Sequence, residues 1–120
     1  MNNWKLGAVE ARFADIIWQH APLTSGELAK LAEKSLGWKK TTAFTVLKRL
    51  CDRGIFQNNG GMVTACISRE DFYARQSEEY LQESFAGSLP AFLVAFSSRK
   101  KLSSQEVEEL QRIIDRMRGE

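Results

Sequence analysis

The sequence is poor in the residues that build most chemical centres, with one histidine and two cysteines among its 120 residues. Cys51 and Cys66 lie fifteen positions apart, outside any CxxC or CxC pair and with only His20 to help. Neither a disulfide framework nor a zinc site is expected from that spacing, but two reduced, packed thiols. No stretch approaches the ~20 apolar residues that cross a bilayer, which argues against membrane insertion. The opening MNNWKLGAVEARF lacks an apolar signal core followed by a small-residue cleavage site, so a cytoplasmic protein is expected. A nucleophile elbow, a phosphate-cradling glycine loop and a metal-spaced cluster are all missing. Neither an enzyme nor a cofactor is therefore expected. Glu78, Glu79, Glu83, Glu106, Glu108 and Glu109 include pairs, but they read as solvated helix faces rather than an acid–base couple.

What is present is a globular composition, 43% hydrophobic and 27% charged. The length suits one compact domain, or a small domain with a helical appendage that needs a partner. The net charge of +2 conceals an asymmetry. Residues 1–66 carry nine Lys/Arg against five Asp/Glu, whereas residues 67–120 carry eight against ten. Trp38 to Arg53 is more basic still, with five cations and one acid, and a local patch of that kind suits a polyanion.

Leu6, Val9, Phe13, Ile16 and Ile17 recur at helical spacing and predict one amphipathic helix ending near His20, before Ala21-Pro22 breaks it. The lone histidine in that last turn reads as a partner of terminal carbonyls. Thr24-Ser-Gly-Glu27 is a capping box opening a second helix, with Leu28, Leu31 and Ala32 buried and Gly37 as its stop. A third helix is predicted from Lys39 to Arg53, ended by Gly54, with Ala43, Val46 or Leu47, and Leu50 inward. IFQNNGGMVTACI then reads as two short strands around Asn58-Asn59-Gly60-Gly61. Three helices and a hairpin in this order predict a winged helix-turn-helix. The fold class expected is mainly α with a small β-hairpin, followed by a helical dimerisation domain.

Beyond residue 67 the pattern is helical only: Ser68 to Phe85, then a segment behind Pro90, then one opening at Ser103 with Glu106 as its capping partner. Leu89, Phe92, Leu93, Phe96, Val107, Leu110, Ile113 and Ile114 form apolar stripes that three short helices cannot bury alone, which points to a second copy of the chain. The division expected is a winged-helix DNA-binding domain over 1–67 and a helical dimerisation domain over 68–120.

A recognition helix must rest one face on its own domain and offer donors, small side chains and cations to a groove. In WKKTTAFTVLKRL the outward face is predicted to show Lys40, Thr41, Phe44, Thr45 and Lys48. Lys39 and Lys40 stand at the helix start, where free amides favour a phosphate. Lys39, Lys40, Thr41, Thr42, Thr45, Lys48 and Arg49 are the candidate DNA-binding residues. Phe44 either packs beneath the wing or meets thymine methyls, and packing is the reading preferred. Trp4, Trp18 and Trp38 are expected in core or domain-edge packing rather than in stacking on bases.

Leu6-Gly-Ala-Val-Glu10 with Ile16-Ile17-Trp18, Leu23-Thr-Ser-Gly-Glu27-Leu28, Trp38 to Leu50, Gly54-Ile55, Phe92-Leu-Val-Ala-Phe96 and Glu106-Val-Glu-Glu-Leu110 together resemble the BlaI/MecI/CopY repressors. The resemblance implies a bacterial homodimer on an inverted-repeat operator in double-stranded DNA, repressing a nearby promoter. It also implies relief of repression through a membrane sensor protease system, by cleavage at a bond that falls at Ala95-Phe96. Ala95 departs from the asparagine usual in that family. The copper branch ends in paired Cys-x-Cys motifs, and no cysteine follows Cys66 here, which speaks against copper sensing by that route. The wing tip NNGG carries no Lys or Arg, so it offers phosphates only amides and Asn side chains. The alternative from another class is a winged-helix module that docks a protein and does not read DNA sequence.

Overall fold

A computed structural model describes residues 4–119. Along the chain run α1 (Ala8–His20), β1 (Leu23–Thr24), α2 (Ser25–Leu36), α3 (Lys40–Asp52), β2 (Phe56–Asn59), β3 (Met62–Ala65), α4 (Arg69–Phe85), α5 (Leu89–Arg99) and α6 (Ser104–Gly119). The first six elements form a winged helix-turn-helix, and the protein is mainly helical, as the periodicities predict.

Helix ends follow the local chemistry. The Gly7 amide donates to Glu10 Oε1 (3.1 Å) at the start of α1. At the other end His20 Nδ1 lies 2.9 Å from the Ile16 carbonyl, the carbonyl contact expected of it. The Thr24 box is complete: Glu27 N donates to Thr24 Oγ1 (3.0 Å), and Thr24 N donates to Glu27 Oε1 (2.8 Å). Gly37 closes α2 in the left-handed region, φ 69°, where a side chain would be strained. Thr24→Ala removes half of the box and is expected to cost about 1 kcal/mol of stability. Urea unfolding of that variant checks it, and an unchanged midpoint would mean that water replaces the hydroxyl without loss.

The hairpin turns on Gly60 and Gly61, both at positive φ (59° and 96°), as a two-residue connection requires. It pairs Phe56 with Ala65 and Asn59 with Met62. A third strand was not anticipated. β1 pairs antiparallel with β3 through Leu23 and Val63, giving the order β1-β3-β2. The Ser25 amide donates to the Gly61 carbonyl (2.8 Å), so the start of α2 and the base of the wing are hydrogen-bonded together.

The chain divides into two compact units between Glu79 and Tyr80, inside α4. In the first unit Phe13, Ile17, Leu28, Leu47, Leu50, Ile55, Phe56 and Val63 are almost wholly buried, and both Val46 and Leu47 face inward. The start of α4 belongs to this core. Phe72 is fully buried, with its ring 5.7 Å from that of Trp4 and 5.5 Å from that of Trp18. Trp18 Nε1 donates to the Ile67 carbonyl (3.0 Å), and Arg69 Nε pairs with Asp15 Oδ1 (2.8 Å). Trp38 packs on Phe13 at 4.9 Å, so all three tryptophans pack on rings of this unit. Of the two thiols only Cys51 is half-buried; Cys66 is exposed at the end of β3, contrary to the expectation of two packed thiols.

In the second unit α5 opens on Ser88, whose Oγ accepts the Ala91 amide (3.0 Å). α6 opens on the Ser103–Glu106 box, read correctly from sequence (3.0 and 3.1 Å). Tyr80, Phe85, Phe92 and Phe96 form a chain of ring contacts with centroids 5.6–6.2 Å apart. Neither α5 nor α6 contains a buried residue.

Candidate nucleic-acid interface

α3 presents its outer side in two rows at four-residue steps. Lys40, Phe44, Lys48 and Asp52 make one, and Thr41, Thr45 and Arg49 the other. This follows from which positions the core claims: Ala43, Val46, Leu47 and Leu50 are buried, and every side chain of the two rows is exposed. Lys39 is the N-cap of α3, with extended backbone and no side-chain cap, and no acid occupies the first turn. The free amides and positive end of the helix are therefore joined there by two ammonium groups.

The predicted residues are not equivalent. Lys39, Lys40, Thr41 and Thr42 crowd the N-terminal turn. Thr45 lies on the outer face, but its Oγ1 already donates to the Thr41 carbonyl (2.9 Å), so its methyl and the oxygen lone pairs are what it can offer a ligand. Lys48 pairs with Asp52 (3.2 Å) in the open, where such a pair is weak and readily exchanged for a phosphate. Arg49 turns away from the others: its Nη1 lies 3.2 Å from Glu10 Oε2 on α1. The Glu10 carboxyl is held below the usual carboxylate range, first by the Gly7 amide and then by Arg49 and Arg53. Arg49 thus links α3 to α1, a role that a pair thirty-nine residues apart does not announce in sequence.

The Phe44 ring, for which packing beneath the wing is the position preferred from sequence, stands on the outward row of α3. It lies outside the core cluster and stays about a third exposed, with Lys40 Nζ 5.6 Å from its centroid. At the wing Met62 is exposed, and Asn58 Oδ1 accepts the Gly61 amide (3.0 Å), which occupies one of the few polar groups at its tip.

The apolar residues assigned to self-association all lie in α5 and α6. Leu89, Phe96, Val107, Ile113 and Ile114 are exposed, and Phe92, Leu93 and Leu110 are half-buried. Ala95 and Phe96 sit within α5, both exposed, with the Ala95 carbonyl accepting Ser98 Oγ (2.8 Å). Among the described residues no group of three His, Cys, Asp or Glu is placed to hold a metal ion, and no helix is long and apolar enough to cross a membrane.

The family described as penicillinase repressor matches residues 6–116. A penicillinase repressor of Bacillus licheniformis is 26% identical over 115 residues, covering 92% of this chain and 90% of that protein. The methicillin resistance regulatory proteins MecI of Staphylococcus aureus and Mammaliicoccus sciuri are 20% and 19% identical over 117 residues, covering 94% of this chain and 95% of each relative. These matches run through both compact units.

Proposed function

Since the chain belongs to the penicillinase repressor family, we propose that it is a cytoplasmic transcriptional repressor that binds an inverted-repeat operator as a homodimer. The observation that carries this reading is the outer side of α3, where lysines and threonines surround an acid-free helix start on a winged-helix scaffold. Lys39, Lys40 and Lys48 take phosphates, Thr41, Thr42 and Thr45 take base edges, and Arg49 holds the helix in place and reaches the backbone from its flank. Residues 1–67 carry the DNA contacts. Dimerisation falls to residues 68–120, through α5 and α6. A two-fold dimer matches the symmetry of an inverted repeat, each protomer reading one half-site.

Derepression is assigned to cleavage at Ala95-Phe96 downstream of a membrane sensor protease system, on the family resemblance. Because that bond lies inside α5, a protease reaches it only when the helix opens locally.

Binding of the wild-type protein to duplex DNA from the region upstream of its own gene, followed by fluorescence anisotropy across salt, tests the reading. Three lysines and Arg49 per protomer amount to roughly eight neutralised phosphates, so log K is expected to fall against log salt with a slope of about −7. Lys39→Ala weakens cognate and scrambled duplexes alike and reduces the slope by about 2, one for each protomer. Thr45→Ala lowers the preference for cognate sequence instead. A folded dimer that ignores duplex DNA at about 50 mM salt, and captures an acidic protein, would show a protein-docking module in place of a repressor.

A further inference from the structure

Phe44 is explained neither by the fold nor by phosphate binding. A single exposed aromatic is unremarkable on a protein surface, so its exposure of 36% carries little alone. Its position carries more. It occupies the middle of the outward row of α3, one turn from Lys40 and one turn from Lys48, with the Lys40 ammonium 5.6 Å from the ring centroid. That distance lies within cation–π range, so the ammonium favours a ring lying on the outward side of the helix. In the neighbouring row Thr45 has spent its hydroxyl proton on the Thr41 carbonyl, so a methyl is much of what that side chain shows. The centre of the surface is thus more apolar than its lysines suggest, and cations bracket it.

The major groove offers one apolar target, the C5 methyl of thymine. We propose that Phe44 is a specificity-determining residue that reads a thymine by seating its ring against that methyl, while Lys40 and Lys48 hold the phosphates on either side. This rests on the DNA-binding reading above and names what one position of the half-site must be. The ring has no hydrogen-bonding group, so it distinguishes bases by the methyl alone. Lys40 supplies both the phosphate contact and the orientation of the ring.

Deoxyuridine substitution isolates that contact, because it removes the methyl and leaves every hydrogen-bonding group of the base in place. Duplexes enriched by the wild-type protein from a random-sequence pool are resynthesised with uridine at one thymidine per half-site at a time. One position is expected to weaken wild-type binding about fourfold per half-site, the value of a buried methyl-sized group. In Phe44→Ala that position becomes indifferent to the methyl, and Phe44→Leu retains part of the sensitivity. Both variants are expected to remain folded, since Phe44 is not among the fully buried residues, and their melting is followed beside binding. The proposal is overturned if no thymidine is sensitive in the wild type, or if Phe44→Ala binds more weakly yet keeps the same sensitivity. Each of these leaves duplex binding intact and so spares the repressor reading. A pool from which nothing is enriched removes both.

Discussion

Val107→Glu combined with Ile114→Glu is expected to leave the chain monomeric, raising the dissociation constant of the proposed dimer by about a thousandfold. Both side chains lie on α6 at 48% exposure, so about half of each is left open by its own chain. Hiding a fully exposed side chain of this size is worth roughly 1.5–3 kcal/mol, so half-exposed ones contribute about 1 kcal/mol each. In the proposed two-fold dimer each substitution falls twice in the interface, and the loss sums to about 4 kcal/mol before the added glutamates repel one another. Sedimentation equilibrium reads the result. Because both residues are exposed in the single chain, helix content by circular dichroism should be unchanged. Duplex affinity should fall with dimerisation, since a monomer holds one half-site alone. A double variant that stays dimeric would move the interface away from α6.

Phe72→Ala is expected to destabilise the N-terminal unit by about 3–5 kcal/mol, most of what a small domain possesses. The ring is fully buried and touches the rings of Trp4, Trp18 and Tyr73. Removing it opens a cavity that rigid indoles cannot fill. Urea unfolding followed by tryptophan fluorescence is the appropriate measurement, since Trp4 and Trp18 report directly on the lost contact. A cost under about 1 kcal/mol would mean that the start of α4 is an appendage to the winged helix and not part of its core.

These two expectations mark where the sequence was legible and where it was not. Helix ends were readable because their determinants are local: Thr24 with Glu27, Ser103 with Glu106 and glycine at 37 each act within one turn. The inward face of α3 followed from spacing alone. What escaped depends on residues distant along the chain. β1 consists of two residues, too few to show an alternation, and exists because Val63 and Met62 lie beside it. Phe72 fell within the helical stretch Ser68 to Phe85 with nothing to mark it as core, because its partners at positions 4 and 18 are distant along the chain. For the same reason the core runs past residue 67 into α4. Arg49 resembled any other cation of a basic helix until Glu10 was found opposite it. Spacing placed Phe44 on the outward face of α3, and its ring remains about a third exposed there.

The proposed function depends most on the outer side of α3 entering a DNA groove. Amide chemical shifts of the isotopically labelled wild-type protein, followed as duplex from its own upstream region is added, test this without any substitution. The largest changes are expected from Lys39 through Arg49, saturating at one duplex per two chains. Saturation with α3 unmoved and the changes confined to another surface would contradict it.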